Sequence, residues 1–578
     1  MNYTRKSIKM LLIVGLIFLF VTVAAAGITW NPVVIISGHG DGSVFDDQNP
    51  RIATDTRGNS YVVWEGFDGN DQEIYWVKLD SKGTPGPPVL ISTHPDNEQN
   101  SDRHPYIVAD SSGSSYVVWE GFDGNDQEIY WVKLDSKGES GPVIKISTHP
   151  DNEEYNDQNP YLVIDNAGSS YVVWEGFDGN DQEIYWSRID SDGIPGEPHR
   201  ISNHADNIVH NDKNPQIAVN SAGTSFIVWN GFDGMERHIY WSVLAFNGEK
   251  QQVKLIPVPE GVHGDARNPC IQLDVLDNSY VVWSIYNGSD EDIYWAKVDA
   301  SGDVMGVECI SNHETDVFDR NPHLAMDSYR ESHVVWEGYG THEEIYWVKV
   351  NPLGIFTPPR MISTHTDNKT WGVYHPQVAS DSSGNSYVVW DGYDGIDEEI
   401  YWVKVDFYGE PGIVMKISTH SDNTYGYDRD PHITVSPAGT SYVTWSGFNG
   451  TDEEIYFTIT TTDPSGPQTQ KVEFVESQPY YISTKVTIIA TIDDSKTGAS
   501  TIQSAEYFID KVGPNGTGTR MAAADGAFDS STEIVNALID MGSLSTGAHI
   551  VYIHGQDIYG NWGPFHSIFL RVYYVTAT

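Results

Sequence analysis

A tryptophan recurs along this chain at an almost constant interval. It stands at Trp64, Trp119, Trp174, Trp229, Trp283, Trp336, Trp390 and Trp445, with gaps of 55, 55, 55, 54, 53, 54 and 55 residues. Each closes a β-rich run such as Tyr61-Val62-Val63-Trp64. A second signature follows ten residues later, Ile74-Tyr75-Trp76 in the first copy and Ile455-Tyr456-Phe457 in the last. A fixed period of this size points to a repeat architecture, in which a unit too small to bury its own apolar face lends that face to the next copy. Interchangeable copies make a scaffold well and a unique catalytic site poorly, so repetition alone predicts a protein that is not an enzyme.

The second copy shows what one unit contains. His104 to Asp110 reads as a short strand, Ser111-Ser112-Gly113 as a turn, and Ser115 to Glu120 as an alternating strand. After the loop Gly121 to Asp126 come two more strands, Glu128 to Leu134 and Val143 to Ser147, separated by Lys137-Gly138. Four short strands joined by turns match one blade of a β-propeller. The chain is expected to be all-β, with an eight-bladed β-propeller of four-stranded blades over residues 27–462. A strand at Val33 to Ser37 precedes the first copy, and the eighth copy, Pro431 to Thr460, has only three. If the early strand completes the last blade, the ring closes and both sheet edges are hidden. The alternative makes it the innermost strand of the first blade.

The pattern Asn49-Pro50-x-Ile52-Ala53-x-Asp55-x-x-Gly58-x-x-Tyr61-Val62-Val63-Trp64, then Asp68-Gly69-Asn70-Asp71-x-Glu73-Ile74-Tyr75-Trp76, resembles the TolB-type propeller repeat, with a longer period and a second Trp. The resemblance covers roughly residues 30 to 460. It implies a propeller of the prokaryotic, archaeal-type cell surface, a fold that serves as binding platform, scaffold and sometimes enzyme. Residues 463–469 break the period and read as a linker. Residues 470–578 are expected to form a separate seven-strand sandwich. Their closing stretch, His554-Gly555-Gln556-Asp557 to Trp562-Gly563, resembles Ig-like modules appended to secreted archaeal and bacterial proteins.

Residues 1–26 read as a secretory signal: Arg5, Lys6 and Lys9, an apolar run from Met10 to Val23, then Ala24-Ala25-Ala26. That run is short for a membrane span. The expectation is therefore an extracellular or cell-surface protein whose mature chain does not insert into a membrane. Export is compatible with the sequons at Asn287, Asn368, Asn449 and Asn515. The formal charge of −48, from 33 basic and 81 acidic residues, argues against nucleic acid and anionic membrane as partners. A surface glycan, a protein or an envelope component remains as partner. Cys270 falls on an innermost strand and Cys309 on an outermost one. The ~14 Å between such strands is too far for a disulfide, so two buried free thiols are expected.

Four groups of residues carry candidate chemistry. The paired aromatics of each unit read as packing between blades, with an aromatic ligand platform as the other reading. The acidic loops Asp68-Gly69-Asn70-Asp71, Asp123-Gly124-Asn125-Asp126 and Asp178-Gly179-Asn180-Asp181, each running on to a Glu, offer oxygen ligands suited to Ca²⁺, although such residues also dominate plain turns. If they bind, several equivalent sites should fill together. A histidine recurs in the loop leading into each unit (His39, His94, His149, His204, His263, His313, His365, His420). Spread around a ring, these cannot converge on one metal and read as structural. Before each innermost strand lies one variable position, which is basic at Arg103, Lys213, Arg267, Arg320 and Arg429. Cations converging on a channel mouth would suit a carboxylate, sulfate or acidic sugar. The other reading pairs them with Asp102, Asp212, Asp319 and Asp428. Neither a sialidase signature nor a quinone-dehydrogenase one is present. A unique site would have to hide in the irregular stretches Lys254 to Ser311 and Gly340-Thr341-His342. The favoured expectation is a non-catalytic binding or adhesion scaffold needing no cofactor. The alternatives are a glycan-active hydrolase or lyase at the channel mouth and a structural envelope component.

Overall fold

A computed structural model divides the chain into two compact units, residues 30–461 and residues 462–578. It describes residues 28–574 apart from 39–45, 94–99, 149–154, 203–210, 250–252, 312–317, 340–341, 365–371, 420–425, 438, 463–466, 496–500, 514 and 558–561.

Residues 30–461 form eight antiparallel units, seven of four strands and the last of five, numbered here in chain order. The fifth and sixth are joined by one parallel bridge, Glu291 to Phe318. Unit 1 comprises Asp47–Thr54, Ser60–Phe67, Gln72–Leu79 and Val89–Leu90. The first strand of every unit touches the first strand of the next. That of unit 8, Asp428–Val435, touches that of unit 1, so the ring is closed and propeller-like. The closing strand comes from the N-terminal side: Val34 pairs with Phe457 and Ile35 with Tyr456, on the outside of unit 8. A further strand, Ile28–Trp30, lies beside the same partner. The innermost strand of unit 1 is Asp47–Thr54, which rules out the early strand for that position.

Sequence dictates each unit through three devices. The first is a turn. Asp55 Oδ1 accepts the backbone N–H of Arg57 and Asn59, and its Oδ2 accepts the Tyr61 hydroxyl at 3.1 Å. Gly58 sits at φ +83°, where a side chain would be strained. Asp110 with Tyr116 and Asp274 with Tyr280 repeat this. In unit 6 His333 replaces the tyrosine, 3.1 Å from Asp327.

The second device is burial on both faces of the second strand. Ser60 to Gly66 are all buried, because a neighbouring unit covers each side of the sheet. Burying one Trp removes ~150–250 Å² from water, roughly 4–6 kcal/mol at ~25 cal/mol per Å².

The third device locks each unit to the next. Trp76 Nε1 donates to Ser115 Oγ of unit 2. The same bond recurs from Trp131, Trp186, Trp241, Trp295, Trp347 and Trp402 to a serine of the following unit, at 3.0–3.3 Å throughout. At the seam between units 8 and 1 the indole is replaced by Phe457, and the buried Ser60 Oγ has no partner. Under the second strand of six units a buried aspartate also faces a glycine: a Cβ on Gly66 would lie 2.4 Å from Asp47 Oδ1, whereas in unit 7 Val373 takes the aspartate's place opposite Gly392. Unit 5 replaces both at once, with Ala266 and Ile285, so an apolar pair fills the space of a polar one.

The cysteines are free, but both are only partly buried rather than fully so. Residues 462–578 form one path of eight strands rather than seven. Tyr480–Tyr481 and Thr519–Ala523 are the strands that alternation did not reveal, and Thr519–Ala523 pairs with members of both halves, Ile502–Ile509 and Thr532–Asp540. Their core is built on Val486, Ile488, Val535, Val551, Ile553 and Leu570.

The seam yields a prediction. Ser225→Ala should cost ~1–3 kcal/mol in denaturant unfolding, because it leaves the Trp186 N–H buried and unpaired. Ser60→Ala, which removes a hydroxyl already without a partner, should be neutral or stabilising.

Candidate functional site

All eight innermost strands carry a register shift over their first residues, as between Gln48 and Arg51 or Arg429 and His432. The shift arises because the second residue is left-handed: Asn49, His104, Asn159, Asn214, Asn268, Asn321, His375 and Asp430 all have φ of 50–55°. Asn and Asp tolerate this conformation best among side-chain-bearing residues. A proline follows each, with no N–H to place in the ladder. The bulge aims the left-handed residue, and the one two positions later, at a central cavity of about 550 Å³.

The cavity has two tiers. The outer tier is the left-handed residues, tied down by buried acids. Glu65 accepts the Asn49 amide at 3.0 Å and, from the next unit, the His104 backbone N–H at 2.8 Å. Glu175 and Glu337 do the same for Asn159 with Asn214 and for Asn321 with His375. Two members of this tier are histidines beside carboxylates. His104 Nδ1 is 3.0 Å from Glu120, and His375 Nδ1 is 2.8 Å from Asp391. Hydrogen bonding to these acids outweighs burial and raises both imidazoles, His375 to about 9.

The inner tier is where the copies stop resembling one another: Arg51, Tyr106, Tyr161, Gln216, Cys270, His323, Gln377 and His432 line it. Tyr106 and Tyr161 lie with ring centroids 4.2 Å apart, and burial pushes the Tyr106 hydroxyl up to about 12. Burial first, and then the Arg51 guanidinium, holds His323 down at about 4 and His432 well below its ordinary value. His323 Nδ1 accepts the Val378 N–H at 3.3 Å, whereas His432 Nδ1 is buried without a partner. At neutral pH the inner tier therefore presents one fixed cation, two neutral imidazoles and two protonated phenols.

The five cations predicted for the channel mouth lie within the first three residues of these same strands but are not among the cavity-lining residues. Each is one position before the left-handed residue, on the outer side of the bulge. Arg103 donates to Gln72 at 2.9 Å, and Arg267 lies 3.8 Å from Asp265 over the ring of Tyr286. Arg320 meets Glu337 at 3.1 Å and Glu343 at 3.8 Å, and Arg429 meets Glu453 at 2.6 Å over Tyr427. Lys213 is half-buried and its charge acts on Glu175. Of the aspartates just before them, Asp319 accepts the Trp336 indole N–H at 2.8 Å and Asp428 that of Trp445 at 3.0 Å, whereas the Trp119 and Trp229 indoles, in the units of Asp102 and Asp212, have no such partner.

The acidic loops lie on the same face as the cavity mouth, joining second to third strands. Their carboxylates cluster as Asp68, Asp71 and Glu73; Asp123, Asp126 and Glu128; Asp178, Asp181 and Glu183; and Asp394, Asp397 and Glu399. The third member is the buried glutamate that follows the loop, whereas Asn70, Asn125 and Asn180 stand exposed at the tips. The first aspartate also caps its own loop, Asp68 accepting the Asn70 N–H at 2.8 Å. Three of the four clusters hold a cation of the chain's own. Lys145 Nζ lies 2.8 Å from Asp123 and 2.9 Å from Glu128, Arg200 contacts Asp178 and Glu183, and Lys416 lies 3.0 Å from Asp394 and 2.7 Å from Glu399. Of the histidines in the loops leading into the units, all but His263 lie outside the described residues. His263 is exposed, 3.7 Å from Glu236.

No family model matches the chain, and no curated protein matches it in sequence. Solved structures of similar fold include a polysaccharide lyase described as an ulvan lyase, at 10% identity over 60% of this chain and 89% of that one (TM-score 0.41). A BP39L lectin from Burkholderia pseudomallei matches at 15% identity over 64% and 99% (TM-score 0.39). The NanB sialidase from Streptococcus pneumoniae matches at 11% over 74% and 70% (TM-score 0.32). The expectation that the chain is not an enzyme does not stand beside these comparisons, whose solved structures include polysaccharide lyases and a sialidase. The physical reason lies in the cavity: the copies repeat in the walls and differ in the inner tier, so interchangeable parts do not exclude a site made once.

The His375–Asp391 pair gives a pH prediction. Burial lifts Asp391 to about 6 even against its histidine, while His375 rises from 6.5 to about 9. A histidine raised on folding stabilises fully below its unfolded value and ceases to do so as pH climbs through its folded one. Melts of wild type and His375→Gln should therefore differ most near pH 6.5 and converge above about 9.

Proposed function

We propose that the protein is an exported, cell-surface eight-bladed β-propeller carrying an Ig-like sandwich, and that its central cavity binds and cleaves an acidic glycan. The observation that carries this reading is the inner tier, where Arg51, His323, His432, Tyr106 and Tyr161 line one cavity in a ring otherwise built from copies. Pockets that recognise small polar ligands place a few polar groups on a rigid frame, as here.

The chemistry follows from protonation states. Arg51 is the fixed positive charge available to a uronate carboxylate, and bidentate guanidinium–carboxylate contacts suit that geometry. Holding the carboxylate there acidifies the carbon-bound proton next to it. His323 accepts a backbone N–H at Nδ1, so its Nε2 carries the proton and donates to substrate oxygen. His432 has no such donor and is the group left to act as base. A carboxylate on Arg51 also cancels part of the charge that depresses His432. The Tyr106–Tyr161 pair stays protonated and supplies the acid. In β-elimination the base takes the C–H proton, a C=C bond forms, the glycosidic C–O bond breaks and a tyrosine protonates the leaving oxygen. The rim imidazole of His375 adds positive charge at the mouth of a strongly acidic protein, which draws an anionic chain to that point.

The full chain, incubated with uronate-bearing and neutral polysaccharides, should release unsaturated uronate from the former alone, followed by ultraviolet absorbance. Arg51→Gln should reduce turnover by roughly 10²-fold or more, the scale of removing one charge-stabilising donor. Binding without product would remove the cleavage and leave the binding. Neither binding nor product, or full turnover in Arg51→Gln, would overturn the reading.

A further inference from the structure

Three positions before the left-handed residue, at the mouth, a polar side chain ties five of the units to the unit before. Asp46, Asn156, Asn211 and Asp265 each accept the backbone N–H that opens the preceding unit's third strand, at 3.0–3.2 Å, and Ser101 does so at 3.4 Å. Unit 6 puts Phe318 there, and unit 8 puts Tyr427. Phe318 offers no side-chain acceptor, and the Glu291 N–H turns to Asp290 Oδ1 at 2.9 Å. Nor is the ring buried in exchange, since it is 38% exposed. Folding alone does not account for an aromatic residue that displaces a cap and stays in water.

Phe318 also belongs to a group. Its ring stacks on Tyr286 of unit 5, with centroids 6.2 Å apart and planes at 26°. Tyr339 is its direct cross-strand partner, so the two side chains stand on one face of the sheet. Tyr339 is 43% exposed, whereas the aromatic residues that close the other second strands are partly buried. Arg267 lies over the Tyr286 ring at 4.9 Å, half-exposed and 3.8 Å from Asp265. Three rings and a guanidinium thus make a continuous patch across units 5 and 6, of the kind that marks a binding groove. It starts three residues, no more than about 10 Å of strand, from Asn321 on the cavity wall. In unit 8 the same replacement has the same companion, Arg429 over Tyr427 at 4.3 Å.

We propose that Tyr286, Phe318 and Tyr339 form a platform on which successive sugar rings of the glycan stack as the chain leaves the cavity, with Arg267 receiving a carboxylate. This rests on the acidic-glycan reading of the cavity and extends it from one sugar to a run of them. A sugar ring offers a face of C–H groups and a rim of hydroxyls. Aromatic faces with a hydroxyl or a guanidinium at their edge meet both. Charge selects the occupant: in a chain of net charge −48, a guanidinium held over an exposed platform favours an anionic polymer over a neutral one.

Affinity electrophoresis of the full chain in gels containing alginate, polygalacturonate or hyaluronan tests this, beside calorimetry with the disaccharide of each. At least one polymer should retard wild type. Phe318→Asn installs the capping residue of units 3 and 4, and should weaken polymer binding about five- to tenfold, the scale of one lost ring contact. Its effect on the disaccharide should be smaller. Tyr408→Ser removes a ring 82% exposed in the turn between third and fourth strands of unit 7, at the end of the sheet away from the mouth, and should be retarded like wild type. If Phe318→Asn does not fold, judged by circular dichroism, Tyr339→Ser carries the test. No retardation of wild type, undiminished polymer binding by Phe318→Asn, a loss as large for the disaccharide, or an equal loss in Tyr408→Ser overturns the platform. Arg51→Gln separates it from the cavity: disaccharide binding undiminished in Arg51→Gln, with polymer binding weakened in Phe318→Asn, removes the cavity reading and keeps the platform.

Discussion

The larger unit depends on one short contact made seven times: an indole N–H of one unit reaching a serine hydroxyl in the next. It fixes which way the tryptophan points, and so where the largest buried side chains of the ring lie. A blade-sized sheet has two apolar faces and no means of covering either alone. The indole bond gives each face a specific partner in a specific register, and apolar packing supplies the bulk of the free energy around it. Polar groups kept inside are satisfied by the same logic. Asp55-type carboxylates close turns, and the Glu65-type carboxylates bridge one innermost strand to the next.

A frame so strictly repeated leaves little of itself free to vary, and variation is therefore informative. Around the cavity the outer tier is held nearly constant by backbone conformation, since only a few residue types sit comfortably at positive φ before a proline. The inner tier carries no such constraint, and there the eight copies show arginine, tyrosine, glutamine, cysteine and histidine. The acidic loops vary in a second way. The group that meets their carboxylates changes from lysine or arginine to histidine or an asparagine amide.

Much of this was legible in the sequence. The Trp period, the Asp-x-x-Gly turns and the stray strand at Val34 lead to a closed ring, because strand alternation and turn chemistry are local signals. The cavity lining was read one residue too early. Pattern reasoning treats each innermost strand as regular, and the bulge re-aims its first residues. The signal was present: Asn, His or Asp before proline in every copy is what a left-handed bulge residue looks like. The acidic loops were read without Lys145, Arg200 and Lys416. These stand 22 residues downstream and reach the loop only once the third and fourth strands have paired. Repetition by itself argues against catalysis. It describes the walls of the ring and not its lumen.

The seam where Phe457 stands in for an indole has a bearing on how the molecule is made. Ser37 meets Ile455 across 418 positions of chain, so the strand at Val34–Ile35 has no companion until nearly the whole ring has been translated. Until then seven finished units carry a raw edge on each flank, the kind of surface that invites pairing with a stranger. Biogenesis must shield both flanks, or deliver the polypeptide unfolded to where it can close on itself.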